Sequence, residues 1–597
     1  LDDIKKGVKL SHALNVPEGM VAAFTKSIKE VFAETKHKKE HTPGEKEAFA
    51  EEAIKKKIES PILKVAIRAV AVAESAARAG EVLQSIETAF NQFASTKGNG
   101  LRFARVPRGK EPHFTHEFSF RLWNQEESLP MSLRELVSLF HFPVSTEDKG
   151  AADLKRATAT IAPAPLSMEE GILLGINRFQ ARETPVTLGA TDRLRHFYMI
   201  GQTGTGKTNF LKNMIIQDIQ RGEGVCFIDP HGSDIEDILA NIPKERIDDL
   251  IYFDPAYINR SVGLNMLEYD PRFPEQKTFV VNELLSIFNK LFDMKVAGGP
   301  AFEQYFRNSA LLVMEHPESG STLLEIARVL GDKSFRDLKL SYAQNPIIKE
   351  FWRNAEKTTG EQALANFVPY ITNKFDGFLN NEYMRTIVTQ QKSAFNFREI
   401  MDSGKILLVN LSKGRLGELN ANLLGLLLVG KILMAALSRV DSLGKNLPPF
   451  YLYIDEFQNI TTDSIATILS EARKYKLSLT IAHQFIAQLE ENIRDAVFGN
   501  VGSMASFRVG ADDAEYLEKR FAPSFSARDL MTLENFSCYI NMLVGGRPST
   551  PFSLEVLRAP EGNPGMVPEL KELSYLSYGV TREEVEERIR ARYQAGQ

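Results

Sequence analysis

Eight consecutive residues, GQTGTGKT from position 201 to 208, form a pattern that can cradle phosphate groups. Glycines let backbone N–H groups wrap around phosphate oxygens without interference from a Cβ, and a following helix adds its partial positive charge. In such a loop the lysine contacts the β- and γ-phosphates and the last residue coordinates Mg²⁺. The sequence therefore predicts an ATP and Mg²⁺ site built from Gly201, Gln202, Thr203, Gly204, Thr205, Gly206, Lys207 and Thr208.

A pair of carboxylates follows the apolar run Phe450–Ile454. Asp455 is predicted to hold Mg²⁺ through its water shell, and Glu456 to orient and deprotonate an attacking water. By itself, an apolar strand that ends in Asp-Glu is structural more often than catalytic. Together with the phosphate loop, however, it forms a Walker A and Walker B pair.

Three further side chains are candidates for the same chemistry. Gln484 ends the next strand-like run, where an amide can sense the γ-phosphate or position water, whereas His483 is predicted to have a packing role. Stabilising charge on a transferred phosphoryl group also needs a cation. Arg473 is the first candidate for a cation donated by a neighbouring subunit, and the alternatives are Arg494, Arg508 and Arg520.

Short runs of β-branched and aromatic residues alternate with helical stretches after residue 185, which predicts an α/β fold with a mainly parallel sheet. Polar residues follow most of these runs, at the sheet edge where ligands bind in such folds. Between about 270 and 395 apolar residues recur at helical spacing instead, which indicates an all-α insertion. The predicted strands are 197–200, 224–228, 250–253, 405–411, 450–454, 478–481 and 503–509.

These patterns divide the chain into domains. We predict a charged helical segment at 1–60, a small α+β domain at 61–142, a linker at 143–184, a core formed by 185–269 and 396–560, an all-α insertion at 270–395, and a C-terminal helical tail at 561–597.

Composition narrows the protein class. A chain of 597 residues is too long for one core, and a net charge of −5 argues against a protein that coats nucleic acid over its whole surface. Two cysteines exclude a disulfide framework and a cysteine zinc site, which fits a reducing compartment. The apolar run Leu423–Val440 contains Lys431 and Arg439, so it predicts a buried helix rather than a membrane span.

The motifs together resemble the HerA/FtsK superfamily, and within it the TraD/TraG-type coupling ATPases of conjugative type IV secretion. The resemblance covers about residues 185–560. It rests on the stretches IGQTGTGKTNFLKNMIIQDI, IDPHG, KILLVNLSKGRLGE, YIDEFQN and EARKYKLSLTIAHQ.

This resemblance implies a RecA-like core with an all-α domain inserted between the two Walker motifs. It also implies a homohexameric ring that passes DNA through its channel, and an arginine, here Arg473, that reaches the adjacent subunit's site. The implied partners are DNA and the relaxase and channel proteins of conjugation. The implied location is the cytoplasm, at the cytoplasmic face of the inner membrane.

Other functions stay open at this stage. One is a type IV secretion ATPase that drives protein export or pilus assembly, because residues 61–142 resemble the N-terminal domains of such proteins. Another is a HerA-type motor that processes DNA. Coupling proteins usually begin with transmembrane helices, and the sequence shows none, so an anchor upstream of Leu1 also stays open.

Overall fold

The computed structural model describes residues 45–94, 100–107, 109–140, 161–165, 170–180, 182–292, 294, 299–442 and 444–594. The chain divides into two compact units, Leu1–Lys155 and Arg156–Gln597. Most of the predicted segment at 1–60 and much of the predicted linker at 143–184 lie outside the described residues.

The first unit contains a small antiparallel sheet with helices. Strand β1 (Ile62–Val65) pairs with strand β2 (Leu129–Ser132). Ser132 then caps the following helix in a capping box, since its side chain accepts a hydrogen bond from the backbone N–H of Glu135. The helices of this unit span Glu45–Ile58, Ala76–Ala89, Glu111–Ser119 and Leu133–Leu139.

The second unit is built on one large mixed sheet. Its strands, with the small ones that flank it, are β3 (Gly171–Phe179), β4 (Arg182–Gly189), β5 (Phe197–Ile200), β6 (Gly224–Asp229), β7 (Leu250–Phe253), β8 (Arg260–Val262), β9 (Ile406–Asn410), β10 (Phe450–Ile454), β11 (Leu477–His483), β12 (Ser503–Ser506), β13 (Ser537–Asn541), β14 (Leu543–Val544), β15 (Arg547–Pro548), β16 (Phe552–Val556) and β17 (Gly579–Thr581).

Eleven of these strands form the sheet, in the order β4-β3-β16-β13-β12-β5-β11-β10-β6-β9-β7. The seven strands from β12 to β7 run parallel, and the remaining four add antiparallel pairs at one side. Strands β5, β6, β7 and β10 are buried along their whole length, as expected where helices cover both faces of a parallel sheet. The predicted α/β fold is confirmed.

Helices cover the sheet and form the insertion. They span Ala190–Arg193, Lys207–Gln220, Ser233–Leu239, Gln276–Phe292, Pro300–Met314, Leu323–Gly331, Lys333–Tyr342, Pro346–Thr372, Asp376–Leu379, Glu382–Val388, Phe397–Asp402, Lys413–Leu416, Glu418–Ser438, Asp463–Glu471, Glu491–Asn500, Ala511–Phe521, Ala527–Met531, Val567–Tyr578 and Arg582–Gln594. Between residues 276 and 388 every regular element that the structure describes is helical.

The apolar run at 423–440 belongs to a long core helix, Glu418–Ser438. By length and composition it is the one helix among the described residues that could cross a membrane, but 89% of its apolar window is buried inside the fold. The prediction of a buried helix is confirmed.

One predicted segment needs correction. Residues 171–184 lie in the predicted linker, but β3 and β4 pair as antiparallel strands and extend the sheet. The sequence does not show the alternation of apolar and polar residues that is typical of a strand, because the register shifts between Leu173 and Gly175. In the segment predicted as a C-terminal tail, the structure has the helices Val567–Tyr578 and Arg582–Gln594, and this segment contacts the core: Tyr575 stacks on Tyr257, and β17 pairs with β8.

Candidate nucleotide site

The phosphate loop connects β5 to the helix Lys207–Gln220. Gly204 and Gly206 adopt φ angles of 77° and 112°, a backbone region that favours glycine. Gly201 is needed for a different reason, since a Cβ there would lie 2.5 Å from Cβ of Phe507. These three glycines therefore shape the backbone of the loop.

Lys207 lies inside this loop. Its ammonium donates hydrogen bonds to the carbonyl oxygens of Gly201 at 2.5 Å and Gln202 at 3.0 Å. Burial lowers the pKa of Lys207, while the carboxylates of Asp455 and Glu456 oppose this effect. A buried cation held within a glycine loop fits an anionic group such as a phosphate.

Thr208 and Asp455 bring two oxygen ligands together. Oγ1 of Thr208 donates a 3.2 Å hydrogen bond to Oδ2 of Asp455, which is buried at the end of β10. Burial raises the pKa of Asp455 to about 6, although the backbone N–H of Glu456 donates to its carboxylate and favours the charged form. One hydroxyl and one carboxylate fit Mg²⁺, which keeps several waters and bridges to substrate phosphates.

Glu456 and Gln484 are in direct contact. Nε2 of Gln484 donates to Oε1 of Glu456 at 2.6 Å, and Oγ1 of Thr203 donates to Oε1 of Gln484 at 3.1 Å. Gln458 donates to the other carboxylate oxygen of Glu456 at 2.6 Å. Glu456 itself has a left-handed backbone with φ 47°, a strained conformation for a residue with a Cβ. The phosphate loop, the carboxylate and the amide thus form one network.

His483 is buried beside this network. Its Nε2 lies 2.7 Å from the hydroxyl of Tyr198, and burial lowers its pKa to about 4. A histidine that is neutral at pH 7 and paired with a tyrosine fits the predicted packing role.

Arg473 is not part of this cluster within one chain. It lies exposed on the turn Ala472–Tyr475, which precedes β11, whereas Gln484 follows the other end of that strand. Among the alternative arginines, Arg508 does reach the loop: its Nε donates to Oε1 of Gln202 at 3.4 Å. Arg494 pairs with Glu491 and Asp495, and Arg520 donates to the carbonyl of Phe498.

Asp229 is a residue of this sheet edge that sequence reasoning did not include among the site residues. It ends β6, which neighbours β10, and its carboxylate accepts from the backbone N–H of His231 at 2.8 Å and of Asp234 at 3.3 Å. Burial raises its pKa. The signal was present in the sequence, because an aspartate directly follows the apolar run of a predicted strand.

Two family models match the chain. One, described as the central domain of the helicase HerA, matches residues 174–271, which include the phosphate loop. The other, described as the TraM recognition site of TraD and TraG, matches residues 449–520, which include Asp455, Glu456 and Gln484. The predicted resemblance to the HerA/FtsK superfamily and its TraD/TraG type is confirmed. No curated protein matches this chain.

The solved structures that this chain is similar to have low sequence identity to it. The plasmid coupling protein TrwB in complex with ADP and Mg²⁺ is 17% identical over 64% of this chain and 89% of that chain, with a TM-score of 0.45. Unbound TrwBdeltaN70 is 17% identical over 68% and 99%, with a TM-score of 0.48. VirB4 of Thermoanaerobacter pseudethanolicus is 14% identical over 66% and 99%, with a TM-score of 0.44.

Proposed function

We propose that this HerA/FtsK-type protein is a hexameric ATPase that moves DNA towards a conjugative type IV secretion channel. The observation that carries the proposal is the contact between Gln484 and Glu456 beside the phosphate loop. A carboxylate and an amide that lie next to the phosphate loop support the proposal, because hydrolysis of a γ-phosphate needs a base and a group that orients it.

Each residue of the network has a role in this proposal. The loop N–H groups and Lys207 bind the phosphates, and Thr208 and Asp455 hold Mg²⁺, which would neutralise charge on the phosphate oxygens when bound. Glu456 accepts the proton of the attacking water. Gln484 orients this carboxylate through its 2.6 Å hydrogen bond and senses the loop through Thr203.

The proposal assigns Arg473 to the site of the neighbouring subunit. Its exposed position, away from the site of its own chain, supports a role across a subunit interface. Mixing inactive Arg473→Ala and Glu456→Ala proteins tests this assignment. Mixed rings should recover part of the ATPase activity, because some sites then combine an intact Glu456 with an intact Arg473. No recovery at any mixing ratio would contradict both the trans role and a ring with shared sites.

DNA is the proposed cargo because the TraD/TraG family model matches the segment that carries the carboxylates and Gln484. Conjugation proteins, including a partner that occupies the TraM recognition site of TraD and TraG, are the proposed partners. The cytoplasmic face of the inner membrane is the proposed location. The second candidate, a secretion ATPase for protein export or pilus assembly, has the same site and differs only in cargo.

The decisive experiment measures ATPase activity of the full chain with single-stranded DNA, with double-stranded DNA and without DNA at low salt. We expect DNA to stimulate hydrolysis and Lys207→Ala to abolish it. Activity that no DNA changes, together with no DNA binding, would contradict the translocase proposal and favour the protein-export alternative. Normal hydrolysis by Lys207→Ala would contradict the site itself.

A further inference from the structure

An aromatic ring and a cation lie beside the phosphate loop and have no part in the hydrolysis network. The guanidinium of Arg558 lies over the ring of Phe536, 5.4 Å from its centroid. Arg558 is exposed and Phe536 half-buried. Within the part of the chain that the structure describes, no carboxylate pairs with Arg558.

Phe536 is fixed to the loop by its backbone. Its N–H donates to the carbonyl of Thr205 at 2.8 Å, and its φ angle is 62°, which is uncommon for a residue with a Cβ. A Cβ added at Gly206 would lie 3.2 Å from Cα of Phe536, so the two backbones are in close contact. The aromatic ring is therefore held next to the start of the loop helix.

Arg558 is fixed to the same helix. The carbonyl of its neighbour Leu557 accepts hydrogen bonds from the side chains of Asn209 at 2.7 Å and Asn213 at 2.8 Å. The N–H of Ala559 donates to Oδ1 of Asn209 at 2.9 Å. Two asparagines in the first two helical turns thus clamp the backbone on both sides of Arg558.

The sheet order shows on which side of the phosphate loop this pair lies. Strand β5 leads into the loop, and β11 and β10, which are followed by Gln484 and Asp455, lie on one side of it. Strands β12, β13 and β16 lie on the other side. Because β13 and β16 are antiparallel to each other, the start of β13 at Phe536 and the end of β16 near Arg558 meet at the same edge as the loop.

The γ-phosphate must lie on the side of Asp455, Glu456 and Gln484 if these residues act on it. The nucleoside then leaves the loop on the opposite side, where Phe536 and Arg558 lie. We propose that these two side chains form the platform for the base and ribose of the bound nucleotide, with the planar guanidinium and the ring available for stacking. This inference rests on the proposed function, since it requires the loop to bind a nucleotide.

Calorimetric titration of the full chain with Mg²⁺ and either ADP or inorganic tripolyphosphate tests the platform. ADP has a nucleoside and tripolyphosphate has only phosphates. We expect Arg558→Met and Phe536→Leu each to weaken ADP binding roughly tenfold, a typical effect of losing one stacking partner. Tripolyphosphate affinity should stay within about twofold of wild type, because phosphate binding depends on the loop.

Arg182→Met is the matched control, because Arg182 is also exposed but lies on the edge strand β4. It should leave the affinity for both probes unchanged. Arg558→Met removes an exposed guanidinium, so its fold should be intact, and a thermal melt checks this.

Unchanged ADP affinity in both variants, or equal losses for ADP and tripolyphosphate, would overturn the platform. Wild-type protein that binds neither probe, or Lys207→Ala protein that binds both normally, would instead contradict the proposed function.

Discussion

The side-chain amide of Gln484 donates a 2.6 Å hydrogen bond to Oε1 of Glu456 and so connects the residues that follow β11 and β10. The other end of the same amide accepts from Thr203 in the phosphate loop at 3.1 Å. Gln484 therefore contacts both the loop and the proposed base. A change in the loop on nucleotide binding or hydrolysis would reach Glu456 through a single side chain.

This relationship predicts how two variants change hydrolysis. Glu456→Gln removes the proposed base and should lower kcat by about 10²-fold or more. Gln484→Ala removes the group that orients the base and should lower kcat by about 10²-fold. Both should leave the Kd for ADP close to wild type, because neither variant removes Lys207 or a backbone N–H group of the phosphate loop. Steady-state ATPase rates and ADP titrations measure the two effects separately.

Gln488→Ala is the control for these variants, since Gln488 is an exposed glutamine on the turn just after Gln484. Its kcat should equal that of wild type. A Gln484→Ala protein with the same kcat as Gln488→Ala would contradict the role of the amide.

A second prediction compares two glycines of the loop. Gly204 has φ 77° with no atom within 4 Å of an added Cβ, so Gly204→Ala should cost only the left-handed strain, about 1–2 kcal/mol. Gly206 has φ 112°, and its added methyl would also press on the backbone of Phe536 at 3.2 Å. Gly206→Ala should therefore unfold at a lower temperature and bind ADP more weakly than Gly204→Ala.

Gly499→Ala provides the baseline, because Gly499 lies in the helix Glu491–Asn500 and an added Cβ there meets nothing within 4 Å. It should stabilise the protein slightly, since alanine favours helix. Thermal unfolding and ADP titration of the three variants give the order. Equal stability and affinity for Gly204→Ala and Gly206→Ala would mean that contact with Phe536 does not shape the loop.

The local motifs were predictable from the sequence because each needs only neighbouring residues. Apolar runs that end in polar residues gave the strands Phe197–Ile200, Leu250–Phe253 and Phe450–Ile454 with their observed bounds. The phosphate loop was recognisable because its glycine and lysine spacing is set by backbone geometry. Sheet order, in contrast, depends on contacts between distant segments.

The parts that escaped prediction depend on such long-range contacts. The sequence of β3 and the start of β4 resembles a linker. These strands join the sheet only through the pairing of β3 with β16, which is distant in sequence. Likewise, the sequence predicts roles for Thr203, Gln484 and Glu456 separately. The hydrogen bonds that connect them form only because β5, β11 and β10 are neighbours in the sheet. Phe536 and Arg558 lie beside the loop because the strands β13 and β16 are antiparallel, and the amino-acid pattern predicts neither strand.

A third prediction concerns the ion pair between Arg193 and Asp218. The guanidinium donates two hydrogen bonds to the carboxylate, at 2.6 and 2.7 Å, and both side chains are buried. Arg193 also lies 3.6 Å from the ring centroid of Tyr451 and donates to the hydroxyl of Tyr453. Removing one partner leaves a buried charge unpaired, so Arg193→Met or Asp218→Asn should each lower the free energy of unfolding by about 3–5 kcal/mol.

A double-mutant cycle separates the pair from its surroundings. Arg193→Met with Asp218→Asn should be less destabilised than the sum of the two single variants, since the double variant has no unpaired charge. Denaturant unfolding measures all four proteins. Strict additivity would show that the two charges do not stabilise each other. The aromatic partners of the pair, Tyr451 and Tyr453, lie in β10 and outside the phosphate loop, so ADP affinity should change less than stability in every variant that folds.

Lys431 is a charged residue in the middle of the long core helix Glu418–Ser438. Its ammonium is buried and donates to the carbonyl of Glu268 at 2.5 Å, and burial lowers its pKa to about 8. The unfolded chain keeps the ordinary pKa of about 10.4. Between these values the unfolded state binds the proton and the folded state does not, so the free energy of unfolding should rise with pH from about 8 to about 10.4.

Below pH 8 both states bind the proton, and the folded state bears the full cost of a buried ammonium. Lys431→Met should therefore be more stable than wild type at pH 7 by up to about 3 kcal/mol, less the loss of about 1 kcal/mol from the hydrogen bond to Glu268. The difference should vanish or reverse above pH 10. Because other groups titrate in this range, Lys392→Met, which alters an exposed lysine, provides the reference curve. If Lys431→Met and Lys392→Met give parallel curves of unfolding free energy against pH, the proton on Lys431 does not influence folding.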